Sequence, residues 1–193
     1  KLYNCFMNKS FVHLHAHTEY SMLDGAAKIN DYLKKVKDLD QPAAAITDHG
    51  NLYGALEFVR QAESLDIKPI IGYEAYITPG SRFDRPDRDK NKRYHLTLLA
   101  ENNIGYQNLV ELVSKAYLEG FYYKPRVDYE LLREHADGII ALSGCLGGEV
   151  AQHLAPDGSR EEGNTANEKS FEKALEKAKN YQDIFGKDNF FIE

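Results

Sequence analysis

The stretch Phe11-Val-His-Leu-His-Ala-His-Thr18 places histidines at every second position. Side chains alternate across an extended segment, so His13, His15 and His17 would share one face there. Imidazoles so spaced can grip one first-row metal ion or a close pair. A core histidine satisfied by a backbone carbonyl is the plainer reading for a lone His, but it accounts poorly for three within five residues.

Other residues could bring further ligands to the same place. Thr47-Asp-His-Gly50 sets His49 directly behind an apolar run, with Asp48 suited to cap a following helix. Glu74, in Gly72-Tyr-Glu-Ala75, is a charge inside an otherwise apolar strand. Its carboxylate needs a partner, because burying it alone costs several kcal/mol; a metal ion or an edge-strand salt bridge would serve. Cys145, in Ser143-Gly-Cys-Leu-Gly-Gly148, is either a small core residue or a thiolate ligand. Asp24 and His95 complete the candidates, whereas His135 and His153 read as surface residues and Cys5 has no role. Phe121-Tyr122-Tyr123-Lys124-Pro125-Arg126 could stack bases and neutralise phosphates, or equally pack against the rest of the fold.

These residues need a frame that gathers them. Strands are predicted near 10–15, 43–47, 67–77, 94–100, 138–142 and 189–193, and helices near 26–39, 51–64, 104–118, 129–135, 143–154 and 168–184. A charged loop fills 78–93, and a Gly, Ser and Asn-containing linker fills 156–166. The alternation predicts βα units with a parallel sheet. No helix separates 67–77 from 94–100, so the latter should run antiparallel and bring His95 beside Glu74. A barrel or distorted barrel fits better than an open sheet, and the candidate ligands then fall at one mouth, on the loops after the strands.

Composition narrows the class further. The chain has 193 residues, 42% hydrophobic and 28% charged, enough for one folded domain. No apolar run approaches the ~20 residues of a membrane span, and no secretory signal or disulfide framework is visible. The cytoplasm is the expected location. A net charge of −6 disfavours broad attraction of the bare chain to nucleic acid, although bound cations would reverse that locally.

His15-Ala-His17-Thr18, Thr47-Asp-His-Gly50, Glu74, His95 and Ser143-Gly-Cys145 resemble the successive metal motifs of the PHP (polymerase and histidinol phosphatase) family. The stretches His17-Thr-Glu-Tyr-Ser-Met-Leu-Asp-Gly25, Ala116-Tyr-Leu-Glu-Gly-Phe-Tyr-Tyr-Lys-Pro-Arg126 and Ala141-Leu-Ser-Gly-Cys-Leu-Gly-Gly148 are similar to PHP domains attached to bacterial replicative DNA polymerases. Residues 1–10 are then a lead-in and 11–193 the domain. The resemblance implies an α/β fold, a distorted seven-stranded βα barrel with up to three divalent ions (Zn, Mn, Mg or Fe). The implied ligands are His15, His17, Asp24, His49, Glu74, His95 and Cys145, with His13 and Asp48 in supporting positions. His15, His17, His49 and Glu74 would act through a metal-activated water, and Tyr122, Tyr123, Lys124 and Arg126 would guide DNA.

The implied chemistry is phosphoester hydrolysis, a 3′-5′ exonuclease in polymerase-attached members with a full ligand set. The family's closing Asp-x-His motif is not among these residues, so the chain is expected to be the leading part of a longer domain. Other domains of that polymerase chain would carry DNA-directed DNA synthesis. Implied partners are DNA, those other domains and holoenzyme subunits, including a separate proofreading subunit, with no membrane. Two other readings stay open: a non-catalytic interaction module, and a free-standing phosphomonoesterase acting on a substrate such as histidinol phosphate. The stretch from Phe121 to Arg126 counts against the second.

Overall fold

The computed structural model describes residues 11–22, 24–154 and 168–193; the lead-in at 1–10, Leu23 and the linker expected at 156–166 lie outside the described residues. Ile29, Leu33 and Val36 recur at helical spacing and form the buried stripe of α1 (Ile29–Asp38). The helix begins later than predicted, because Ala27 is tied by a bridge to Thr18 and its carbonyl accepts from Glu19 N–H at 3.0 Å. Ala55, Phe58 and Ala62 repeat the pattern in α2 (Ala55–Ser64). The two helices share a core with Ala44 and Ile46 of β1 (Ala43–His49). Truncating fully buried Leu33 to Ala would cost about 2–5 kcal/mol.

β1 pairs in parallel with β2 (Lys68–Ile77), and β2 pairs antiparallel with β3 (Tyr94–Ala100), as the missing intervening helix predicts. α3 (Asn103–Leu118) follows, started by Asn102, whose side chain accepts from the N–H groups of Ile104 and Gly105. The segment predicted as a pure loop contains the short β4 (Arg126–Val127), which continues along β2 at Tyr76 and Ile77. Asp128 caps α4 (Tyr129–Glu134) through a bond from Leu131 N–H at 3.0 Å. β5 (Ile139–Leu142), α5 (Glu149–Leu154), α6 (Glu168–Phe185) and β6 (Phe190–Phe191) complete the order. β5 lies antiparallel to β3, and β6 lies parallel to β5.

Among the described residues the sheet is open and six-stranded, ordered β1-β2-β3-β5-β6 with β4 on β2. The fold is thus mixed α/β, and the closed seven-stranded barrel is not formed by these strands. Residues 11–15 form no strand, against expectation. The reason is local: Thr47 N–H bonds to Ala16 O at 2.8 Å, but Ala16 N–H goes to the Thr47 hydroxyl rather than to a carbonyl, so no ladder develops. His13 is consequently exposed and packs edge-on against Phe11, away from the other histidines.

Strand period decides which face holds what. Tyr73, Ala75 and Ile77 of β2, with Leu96 and Leu98 of β3 and Ile139 and Ala141 of β5, face α3, α4 and α6 in the main core. Glu74 and Tyr76 must then face the opposite way. The register sets His49, Glu74 and Thr97 in one row across three strands, with Tyr76 opposite His95 beside it. No helix among the described residues is long and apolar enough to cross a membrane.

Candidate metal centre

Glu74 is fully buried on this second face, near the end of β2. Its Oε1 lies 3.3 Å from His15 Nε2 and 3.1 Å from His95 Nδ1, and its Oε2 lies 3.8 Å from His17 Nε2 and in contact with His49 Nδ1. Cys145 Sγ is 3.7 Å from Oε1 and 3.6 Å from His95 Nδ1. Asp24 Oδ2 is 2.7 Å from His49 Nε2. Five of the residues expected as ligands thus surround the sixth, Glu74, and the seventh, Asp24, joins through His49. Five of the seven form two overlapping sets, His15 with His17 and Glu74, and His49 with His95 and Glu74, each compact enough to hold one ion.

Several local devices hold this arrangement. Asp48 caps no helix, since the residue before α2 is Gly54, which makes no side-chain cap bond. Buried Asp48 instead accepts from Thr18 N–H at 2.6 Å, Thr18 Oγ1 at 2.7 Å and Ser21 Oγ at 2.7 Å, pinning the loop that carries His15 and His17 onto β1. The loop bearing Cys145 turns at Gly144, whose φ of +81° suits glycine, and is tied to β3 by His95 N–H donating to Gly147 O at 2.9 Å. His17 stacks on His49, with centroids 4.2 Å apart, and His49 stacks on Tyr76 at 5.8 Å.

Charge in the cage is concentrated on Glu74. Burial opposes its ionisation, but hydrogen bonds with His15, His49 and His95 outweigh that and hold it well below the usual carboxylate range. Burial likewise opposes charge on His15, yet the Glu193 and Glu74 carboxylates prevail and raise it to about 9. His49 is raised against its burial by Glu74 and Asp24, whereas His17 is lowered by burial and by the neighbouring His49. Burial and the Glu74 carboxylate push the Cys145 thiol up.

The donor set fits divalent metal. His15 Nε2, His49 Nδ1 and Glu74 Oε2 are buried polar atoms that find no well-directed hydrogen bond, although each lies beside another of them or a near neighbour. A divalent ion would displace the protons these imidazoles share with Glu74 and satisfy all three atoms. Four imidazoles, a thiol and carboxylates are the nitrogen, sulfur and oxygen donors that zinc, manganese and iron take up.

A cavity of about 550 Å³ opens beside the cage and shares Asp24, His49 and His95 with it. Tyr123 and Lys124 line this cavity, but the other two residues expected to guide DNA do not. Arg126 is fully buried, its Nε donating to Gly120 O at 3.0 Å and its Nη2 to the carbonyls of Arg82 and Asp84. It clamps the charged 78–93 loop, a role that its place between a proline and a valine does not advertise. Tyr122 lies under Arg126, with its hydroxyl on Pro86 O at 2.9 Å.

Sequence reasoning missed Glu193, whose Oε1 lies 2.7 Å from His15 Nδ1, and Thr97, whose Oγ1 lies 3.3 Å from the same nitrogen. Thr97 was accessible from the two-residue period, since it shares a strand face with His95. Glu193 gave no such signal, since it follows the two-residue β6 after an exposed Phe191 and Ile192.

Comparison with known proteins yields a family and a set of relatives. The family model described as the PHP domain matches residues 13–193. The DNA polymerase III subunit alpha of Thermus aquaticus is 60% identical over 152 residues, 76% of this chain and 12% of that protein. Those of Treponema pallidum and Deinococcus radiodurans are 49% and 48% identical, covering 95% and 98% of this chain but 15% and 14% of theirs. The chain therefore spans about one seventh of the length of these relatives. Among solved structures, one from Bifidobacterium adolescentis, described provisionally as a metal-dependent phosphoesterase, matches 87% of this chain and 74% of its own at 11% identity and a TM-score of 0.49. A likeness of that size has no bearing on function.

Proposed function

Because the chain belongs to the PHP domain family, we propose that the cage would hold two divalent ions, one with His15, His17 and Glu74 and one with His49, His95 and Glu74, and that the domain is a metal-dependent phosphoesterase. The observation that carries this reading is the convergence of two histidine pairs on a carboxylate with no solvent exposure. Bound ions supply an acidified water as nucleophile and offset the charge that builds on the phosphoryl oxygens.

The chain's own residues do the positioning. Glu74 offers one oxygen to His15, His95 and Cys145 and the other to His17 and His49. Asp24 Oδ2, 2.7 Å from His49 Nε2, would steady the ring with Nδ1 against Glu74. The Asp24 carboxylate is half-exposed on the cavity side. Asp48, through Thr18 and Ser21, keeps the two histidine pairs in register.

The similarity to DNA polymerase III alpha subunits extends the reading to substrate and setting. We assign the domain to the leading part of such a polymerase in the cytoplasm, alongside its synthetic domains and holoenzyme partners, and the activity to 3′-5′ removal of nucleotides. The seven-stranded barrel and a third ion belong to this proposal for the longer chain, whereas His13, exposed and away from the cage, has no part in it. The donor set favours zinc, manganese or iron over magnesium, which prefers oxygen ligands.

The test is degradation of an end-labelled single strand with added Mn²⁺, compared with Glu74→Gln prepared identically. The expected result is metal-dependent loss of 3′ nucleotides at least ~100-fold faster than in the variant, and abolished by chelator. Equal rates would return the domain to a scaffold role.

A further inference from the structure

We infer that the cavity beside the cage is a nucleobase-binding subsite in which Tyr53 and Tyr123 stack the base next to the reacting phosphate. The inference rests on the phosphoesterase reading above, which places the phosphate at Glu74 and its histidines.

The cavity gathers exposed aromatic rings that elsewhere on a protein surface would be scattered. Tyr53 is 63% exposed and Tyr123 59% exposed, yet both line the same hollow, with Phe121 and Tyr117 beside them. The rings are braced: the hydroxyls of Tyr53 and Tyr117 are 3.4 Å apart, and Tyr117 stacks on Phe121 with centroids 6.0 Å apart. Tyr76 forms the floor, stacked on His49 of the cage. Aromatic rings thus line the cavity from its rim to its side next to the proposed metal ligands.

Tyr123 adds a separate indication. Its φ is +61°, a left-handed conformation that costs a residue with a Cβ on the order of 1 kcal/mol. The turn is closed by Tyr122 N–H on Lys124 O at 3.1 Å, and the Tyr123 ring meets Tyr122 edge-on with centroids 4.7 Å apart while the rest of it stands open on the cavity. Positive charge completes the site. Lys124 Nζ stands 5.3 Å above the Tyr76 ring, and Arg93 lines the same cavity, in a chain whose net charge is −6.

Aromatic faces with adjacent cations suit a nucleobase joined to a phosphate chain, whereas a bare sugar phosphate asks for hydrogen-bonding groups instead. About 550 Å³ accommodates a nucleotide-sized ligand. Stacking tolerates any base, because every base has a π face, but it requires the base to leave its duplex partner. The subsite therefore selects unpaired ends without reading sequence.

The experiment compares binding of a labelled oligothymidylate with that of an abasic oligomer of equal length, by fluorescence anisotropy at low salt with the 193-residue chain. Wild type is expected to bind the oligothymidylate roughly 5- to 100-fold more tightly, the range for a lost stack. Tyr53→Ala and Tyr123→Ala should each shrink that preference, and Tyr53→Phe and Tyr123→Phe should retain it. Lys124→Gln should weaken both oligomers alike. Equal binding of the two oligomers by wild type, or an undiminished preference in both alanine variants, overturns the subsite. Metal-dependent cleavage of the same oligothymidylate is scored separately. A base preference without cleavage removes the phosphoesterase reading and leaves the binding subsite standing, whereas cleavage without base preference does the reverse.

Discussion

Glu74 and Glu149 are both almost completely buried, at 0% and 1% exposure, but the groups around them differ in kind. Glu149, at the start of α5, accepts from the hydroxyls of Tyr129 and Tyr181, and Lys177 Nζ lies 3.4 Å from its other oxygen. Hydroxyl and ammonium groups keep their hydrogens at neutral pH; the two hydroxyls hold Oε2 and the ammonium faces Oε1 without a directed hydrogen bond, tying α6 to α4 and α5. Glu74 is surrounded by imidazoles and a thiol, which can release a proton and offer a lone pair to a cation. A buried carboxylate is thus no mark of chemistry by itself; the hydrogens its neighbours keep or give up separate a structural lock from a metal cage.

Removing each carboxylate should separate the two regions most sharply. Glu74→Ala is expected to weaken Mn²⁺ binding at least ~100-fold by titration calorimetry, beyond the 10- to 100-fold loss seen when a ligand's support is removed. Glu149→Ala should bind Mn²⁺ as wild type does. Comparable losses in both would erase the distinction.

Stability should respond in the opposite sense. Glu149→Ala leaves the buried hydroxyls of Tyr129 and Tyr181 without their acceptor and Lys177 without its partner, and should cost about 2–3 kcal/mol in urea unfolding. An undiminished urea midpoint would mean that water replaces the carboxylate there.

A smaller effect is expected at the edge of the cage. His49→Ala removes one imidazole from one of the two sets and should lower metal affinity ~10-fold with the unfolding midpoint kept. Unchanged affinity would leave His49 as a packing partner of His17 and Tyr76 only.

The smallest effect concerns alkaline pH. Burial first, and then the Glu149 charge, raise the pKa values of Tyr129 and Tyr181. A group raised in the fold contributes stability that is complete below its unfolded pKa, ~10 for Tyr, and is lost as pH climbs through the folded value. The urea midpoint should therefore fall above pH ~10, and less steeply in Tyr181→Phe. Parallel pH profiles for the two proteins would contradict the linkage.

Much of this was legible in the residues. The apolar spacing of Ile29, Leu33 and Val36 marked α1, and the missing helix between β2 and β3 announced the antiparallel pair that sets His95 beside Glu74. The ligand candidates were visible as polar residues at strand ends. What escaped depended on tertiary contacts that local pattern does not carry. Residues 11–15 have strand spacing, but the Thr47 hydroxyl takes the Ala16 N–H that a ladder would need. Arg126 looks like a surface cation, yet carbonyls from positions 82, 84 and 120 converge on it. Asp48 reads as a helix cap, yet the hydroxyls that reach it come from 27 and 30 positions earlier. Tyr53 and Tyr117 are 64 positions apart, and only the packing of the α3 face against the loop before α2 brings them to one cavity.

The sharing of Glu74 between two ions is tested most directly by titrating the metal-free chain with Mn²⁺ and recording its electron paramagnetic resonance. Two ions that both drew on Glu74 would lie close enough for their spins to couple. The expected result is about two ions per chain with a coupled spectrum, lost in Glu74→Gln and kept in Glu149→Gln. A single uncoupled ion, or a coupled pair that survives Glu74→Gln, would contradict the shared-carboxylate centre.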